Sequence, residues 1–311
     1  MNDIYEVTPE EVREDATPVF GRLHPDDYNR VADSIQESAR TLDTFYCEFR
    51  VILPRQGLRW RWSQAQPERM DDGGTYTPSK PQLWLWEKRT QFWAEVDQLR
   101  RDTKADLWVG INGDACEGDH HGTSQIISKN PDAQFYVMRR VFGVITDLKP
   151  SRLFVIRGTE AHTGSAGSAE EALAKHIGAE RDTETGNWSR WRLRLNVNGV
   201  LVDFQHHGRF GARPWTRQNA LSALAFQIWS EHALNGQRHP DVAFRSHLHQ
   251  YGDSGDAYPT RVIQTPAWQL KTAHAHKVAA ESISSVGGVI MQVSPDGEYR
   301  IESTRGPEYL R

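Results

Sequence analysis

Cysteine is nearly missing from this chain: Cys47 and Cys116 are the only two in 311 residues. That excludes a disulfide framework and a structural zinc site of the cysteine type, and it favours a reducing compartment. Long apolar runs are missing too, since nothing approaches the roughly 20 residues of a membrane span. The opening stretch MNDIYEVTPEEVREDATPVF is acidic and has no apolar h-region, so no signal peptide is expected and the expected location is cytoplasmic. Neither charge sign dominates. Lys and Arg total 37 against 41 Asp and Glu, a net charge of −4, which excludes a surface that binds nucleic acid or membrane wholesale but leaves room for a local basic groove. Repeats and low-complexity tracts are absent as well.

What the chain does have is indole and imidazole, with 11 Trp and 13 His. Its length allows one large α/β domain or two small ones. Residues 1–44 read as a helical N-terminal extension, in which HPDDYNRVADSIQESARTL places Tyr28, Val31, Ile35 and Leu42 near one helix face. From 45 to 311 the pattern is that of a second domain. CEFRVIL (47–53) reads as a strand, followed by a long loop that includes RQGLRWRW. A helix with Leu85, Phe92, Val96 and Leu99 on its buried side leads to DLWVGIN, a continuous apolar strand of the kind buried between layers.

Asn130 and Pro131 suit the cap and first position of the next helix. RLFVIR is another buried strand, and Ser168 with Glu171 reads as a capping box. RWRLRLNV and VLVDFQ are separated by Asn198-Gly199, a strong hairpin turn. A helix from Pro214 to about Asn235 precedes the strands DVAFR, RVIQT, GGVIMQVSP and a last one near EYRIES. Alternating strands and helices, then paired strands, predict a layered α/β fold with mixed sheets.

Polar clusters recur at one place in this pattern, just past strand ends. Asp114 follows DLWVGIN, Glu160 and His162 follow RLFVIR, His206 and His207 follow VLVDFQ, and His247 and His249 follow DVAFR. Loops beyond the carboxyl ends of strands are where α/β sheets bind ligands. Carboxylates and imidazoles gathered there are what metal ions need to hydrolyse a phosphoester: the ions neutralise the phosphoryl oxygens and make hydroxide available near neutral pH. Any one of these residues has an ordinary reading as well. Asp114 alone suits an exposed turn, Glu117, Asp119, His120 and His121 suit a solvated loop, and His162 suits a backbone hydrogen bond. Of His206 and His207, one reads as a ligand and the other as its orienting partner.

The succession NGDACEG, RGTEAH, QHHG and SHLH resembles the calcineurin-like metallophosphoesterases, and DHHGT with GTEAHTG resembles phage-associated members. The resemblance spans roughly residues 45 to 280. It implies two mixed β-sheets flanked by helices, and a metal-dependent hydrolase of a phosphomonoester or phosphodiester, the latter in nucleic acid. It assigns Asp114 as the bridging ligand, His207 and His247 as ligands of the second metal, and His249 as the last ligand of the first. Thr159 stands where the family has a ligating asparagine, and the neighbouring leaving-group histidine is absent. His162 is then the candidate acid and Glu160 a candidate carboxylate ligand.

Motif one departs further. FRVIL should run into S-D-x-H-x-G, and this chain reads FRVILPRQGLRW. Glu117, Asp119, His120 or His121 then fills the first shell, or the site holds one ion. The ion implied is Mn²⁺, with Mg²⁺, Fe and Zn²⁺ open. Arg209 and Arg213, after the HHG turn, are candidate phosphate clamps, and Arg55, Arg59 and Arg61 interleaved with Trp60 and Trp62 suit stacked bases. The competing expectation is a catalytically inactive descendant, kept as a binding or assembly module, and a third is a single-metal hydrolase of another ester.

Overall fold

A computed structural model describes residues 2–8, 17–41, 44–65, 68–69, 75–76, 78–118, 126–164, 167–209, 211, 216–278 and 284–303. The chain divides into two compact units, Met1–Leu83 and Trp84–Arg311. The first holds the short helices α1 (Asn2–Tyr5) and α2 (Thr17–Phe20), the longer α3 (Pro25–Thr41), the strands β1 (Phe45–Leu53) and β2 (Gly57–Ala65), and the two-residue strands β3 (Glu68–Arg69) and β4 (Thr75–Tyr76). Pro25 and the acidic Asp26 and Asp27 suit the N-terminus of α3.

Of the apolar face expected on this helix, Val31 is buried, but Tyr28 and Ile35 are 47% and 37% exposed. Leu42 lies outside the described residues. Asp27 and Ser38 are buried instead, because the Asp27 carboxylate accepts from the Arg50 backbone N–H, Nε and Nη2 at 2.8, 2.9 and 3.0 Å. That charge-assisted clasp decides which side of α3 meets β1. Cys47, Phe49, Val51 and Leu53 point into the small core with Leu23 and Val31.

RQGLRWRW, read from the sequence as loop, is largely strand. It pairs antiparallel with β1 from Leu53↔Gly57 to Phe45↔Ala65. Leu58, Trp60 and Trp62 stay 51%, 66% and 56% exposed, so the stretch shows no buried face by which a strand is usually recognised.

The chain then enters α4 (Lys80–Thr103), with Arg89 buried beside the expected Phe92 and Val96. In order follow β5 (Trp108–Asn112), α5 (Pro131–Asp147), β6 (Arg152–Ile156), α6 (Glu160–Thr163), α7 (Ser168–His176), β7 (Ser189–Arg190), β8 (Leu193–Val197), β9 (Val200–His207), α8 (Arg217–Leu234), β10 (Val242–Ser246), β11 (Gly252–Asp253), β12 (Arg261–Gln264), α9 (Ala273–Val278), β13 (Val289–Val293) and β14 (Tyr299–Ser303). β5, β6 and β7 form a parallel sheet. A five-stranded mixed sheet runs β11-β12-β10-β9-β8, and β13 pairs with β14. The architecture is α/β, with sheets flanked by helices.

Local chemistry accounts for most boundaries. Asn130 caps α5 by accepting from the Asp132 N–H at 2.9 Å, with Pro131 next to it. Asn198 and Gly199 take φ of 48° and 91° and close the β8–β9 hairpin. The capping box at Ser168 does not form. Gly167, at φ 70°, holds the cap position of α7, and the Glu171 carboxylate instead accepts from the Trp188 and Ser189 N–H groups, both at 2.8 Å. β6 is buried on both faces, with Leu153 and Val155 in the core of α5 and α7, and Phe154 and Ile156 against Leu193 and Leu195 of the other sheet. A strand covered twice needs apolar residues at every position, and each such side chain contributes about 1.5–3 kcal/mol on burial.

Candidate metal centre

Four loops from the two sheets of the second unit meet at the carboxyl ends of their strands. Asn112, the last residue of β5, ties the sheets together: its Nδ2 donates to the Gln205 carbonyl at 3.1 Å and the Ser246 hydroxyl at 2.7 Å. Beyond it the backbone turns sharply through Gly113 (φ 87°) and Asp114 (φ 53°). A Cβ on Gly113 would lie 2.2 Å from His206 Nδ1, and one on Gly158 would lie 2.2 Å from Asp114 Oδ1, so side-chain-free backbone on both loops lets them close. His247 and His249 also adopt positive φ, 75° and 51°. The segment is therefore bent, and its side chains do not follow the two-residue alternation of an extended strand. Strained backbone at several residues of one cluster marks a place that the surrounding fold over-determines.

Asp114 is the hub. Its Oδ1 accepts the Thr159 N–H at 2.7 Å, and its Oδ2 lies 2.8 Å from His206 Nε2 and 3.8 Å from His247 Nδ1. The Thr159 hydroxyl is 3.1 Å from His247 Nδ1, so Thr159 contacts both the carboxylate and an imidazole of the cluster. One ligating atom each from Asp114, His206 and His247 fall within 4.8 Å of one another. His206 is 3% exposed, and its Nδ1 lies 2.7 Å from the Asn112 carbonyl, an acceptor, so the Nδ1 proton is committed there. Its Nε2, also buried, faces Asp114 Oδ2 at 2.8 Å, where it donates as an imidazolium or ligates as a neutral ring. One carboxylate and two imidazoles suit a divalent transition ion.

The groups of this cluster are electrostatically coupled. Burial alone would raise the Asp114 carboxyl, but the His206 and His247 imidazoles beside it hold it far below the usual range. Burial would lower His206, yet the Asp114 carboxylate outweighs it and raises the imidazole. His207 is lowered by burial and then by the neighbouring His206 and His247 charges. Burial pushes His249 down to about 4, which keeps its ring neutral and able to ligate.

The remaining candidates fall around this core. The His207 ring lies 5.2 Å from that of His206 and 5.0 Å from that of His247, centroid to centroid, and the residue is exposed. His206, the other half of the pair, joins the donor cluster. The parity of β9 carried that signal: Val202, Phe204 and His206 share the face that packs between the sheets, and His207 points the other way. His162 Nδ1 meets the Glu117 carbonyl at 2.8 Å, and Glu117 Oε2 accepts from Gln269 Nε2 at 2.8 Å. Glu160 is exposed at the start of α6. Arg209 donates to Gln227 Oε1 at 2.8 Å. Asp119, His120, His121 and Arg213 lie outside the described residues.

One functional residue escaped sequence reading. Glu170 is fully buried; its Oε2 accepts the Gly158 N–H at 2.6 Å and its Oε1 the Ala115 N–H at 3.2 Å. A single carboxylate thus braces the loops that carry Asp114 and Thr159. Burial raises its carboxyl to about 7.

Residues 1–77 match a family described as the PAS fold, about a quarter of the chain. No curated protein matches the sequence. Among solved structures, a novel archaeal phosphodiesterase is 11% identical, covers 70% of this chain and 94% of its own, and superposes with a TM-score of 0.35. Vps29 of Entamoeba histolytica, solved with Zn²⁺, is 8% identical, covering 54% of this chain and 88% of its own at a TM-score of 0.31. A conserved Streptococcus pneumoniae protein described as a predicted phosphoesterase is 11% identical, covering 68% and 91% at 0.27. TM-scores of this size leave the function to be read from the site itself.

Proposed function

We propose that the second unit is a metal-dependent phosphoesterase of the calcineurin-like kind, acting on a phosphodiester in nucleic acid. The observation that carries this reading is the convergence of Asp114, His206 and His247 at the ends of strands from two sheets, with one ligating atom of each within 4.8 Å of the others. Among the described residues these form one group of three, which favours a single ion. His207 and His249 stand by as further imidazole donors, and Glu160 as a carboxylate near the loop. Mn²⁺ is the ion we propose, with Mg²⁺, Fe and Zn²⁺ as the competitors that reconstitution separates.

The ion would neutralise phosphoryl charge and activate the nucleophile near neutral pH. The chain's own groups do the rest. Thr159 fixes the Asp114 carboxylate and the His247 ring through its N–H and hydroxyl. His162, oriented through Nδ1 by the Glu117 carbonyl, would deliver the Nε2 proton of its imidazolium to the leaving oxygen. Arg209 and Arg213 follow the His207 loop and would hold phosphate oxygens.

A second reading, an inactive binding module, draws on β1. FRVIL runs into a hairpin in the first unit and brings no D-x-H pair with it. Elemental analysis after Mn²⁺ loading, paired with hydrolysis of bis(4-nitrophenyl) phosphate, separates the two. The phosphoesterase reading expects about one ion per chain, with Asp114→Ala and His247→Ala losing the ion and at least ~100-fold in rate, more than a residue outside the shell costs. Ion binding without turnover in the wild type selects the binding module. Ion and rate both kept in the variants sink the metal centre.

A further inference from the structure

On the α8 side of the five-stranded sheet lies a cavity of about 390 Å³, lined by Arg192, His207, Arg209, Gln227, His232 and Arg245 among others. Two of the lining arginines, Arg192 and Arg245, bond a fully buried carboxylate, Asp203. Oδ1 of Asp203 accepts from Arg192 Nε at 2.5 Å and Arg194 Nε at 3.3 Å, and Oδ2 from Arg245 Nη2 at 2.9 Å. Arg194 also meets His232. Arg209, on the rim, has the neutral Gln227 as its partner. The carboxylate on the lining is Glu231. Arg192, Arg194 and Arg245 therefore share the one carboxylate of Asp203.

A structural ion cluster would explain one arginine on Asp203, or two, but not this excess. Arginines on an open surface would have their charge screened by water and salt. Arg245 is 3% exposed and has no such relief. Three guanidinium groups crowd one carboxylate; an anion entering the cavity would offset their mutual repulsion, and guanidinium forks match phosphate oxygens. His207 lines the cavity and lies 5.0 Å, ring to ring, from His247 of the donor cluster. The cavity thus begins where the candidate centre ends.

We propose that this arginine pocket is an anion subsite that holds the phosphate next to the scissile one, so the substrate is a chain of phosphodiesters and not a lone phosphomonoester. Its place beside a reacting phosphate rests on the phosphoesterase reading, and its capacity to bind an anion does not. Two titrations by calorimetry on metal-free protein test the latter, with inorganic phosphate and with thymidine 3′,5′-bisphosphate. Both should bind, more weakly as salt rises. Arg192→Ala and Arg209→Ala should each weaken binding about tenfold. Arg209→Ala leaves the Asp203 cluster intact and so guards against a folding defect.

With Mn²⁺ present, thymidine 3′-phosphate 5′-(4-nitrophenyl phosphate) should show a KM about tenfold below the same ester lacking the 3′-phosphate. Arg192→Ala should erase that difference and leave kcat alone. Tighter binding of the bisphosphate than of inorganic phosphate identifies a nucleic-acid phosphate as the occupant, whereas equal binding identifies free phosphate and overturns the substrate assignment. No anion binding in the wild type, or binding unchanged in both variants, overturns the pocket. Arginine-dependent binding without any turnover keeps the pocket and removes the phosphoesterase reading.

Discussion

Arginine occurs in two very different settings in this chain. In the first unit, Arg59 and Arg61 alternate with Trp60 and Trp62 along β2. Arg59 is exposed and Arg61 is partly so, and their guanidinium groups donate to the adjacent Leu58 and Trp60 carbonyls. In the second unit, Arg192 and Arg194 from one stretch and Arg245 from another close on one buried carboxylate. The first set is conspicuous in sequence and carries little interaction in space. The second is inconspicuous in sequence and carries a great deal. Burial and convergence separate them, not residue type.

The largest expected effect comes from removing the shared partner of the second set. Asp203→Ala would leave Arg245 charged and buried without its counter-ion, at a cost of about 3–5 kcal/mol in a urea unfolding titration. A loss under about 1 kcal/mol would erase the contrast. The next effect uses Glu170, whose carboxyl is raised to about 7 from 4.5 by burial. Between those values the folded state holds a proton that the unfolded state has lost, so stability of the metal-free protein falls as pH rises from 4.5 through 7 and levels off above. The loss is on the order of 3 kcal/mol. Thermal melts across that range should show the decline, and Glu170→Gln, which does not titrate, should flatten it. A slope that survives the substitution would remove Glu170 from the account. The smallest effect belongs to the exposed hairpin. Arg59→Ala should change stability by no more than about 0.5 kcal/mol by the same melts, and a larger change would mean that β2 is held by more than its backbone pairing.

The same contrast explains what was legible. Asp114 and His247 could be read because each ends an apolar run, and the run announces a buried strand whose exit loop is fixed. The hairpin at Asn198-Gly199 and the cap at Asn130 could be read because a short segment decides them alone. His206 was less plain, since two adjacent histidines look equivalent until the pleat of β9 is followed inward. Glu170 was hidden in the first turn of α7, where a carboxylate ordinarily serves the helix N-terminus; only the fold carries it beneath Ala115 and Gly158. β2 was misread because its aromatic residues never enter a core. The arginine pocket was out of reach for a deeper reason: its members meet only once β8, β9 and β10 lie side by side.

Asn112 has a consequence beyond geometry. Its side-chain amide bonds the ends of β9 and β10 while its carbonyl holds His206, so the donors of the cluster sit on opposite sides of a seam between two sheets. Anything bound jointly by Asp114, His206 and His247 recognises the closed seam and not the parted one. Its binding free energy is then added to the cohesion of the sheets, about 2.7 kcal/mol at a hundredfold excess over its dissociation constant. A ligand held there acts as a rivet as well as a reagent, and would go on doing so in a chain that had given up its chemistry.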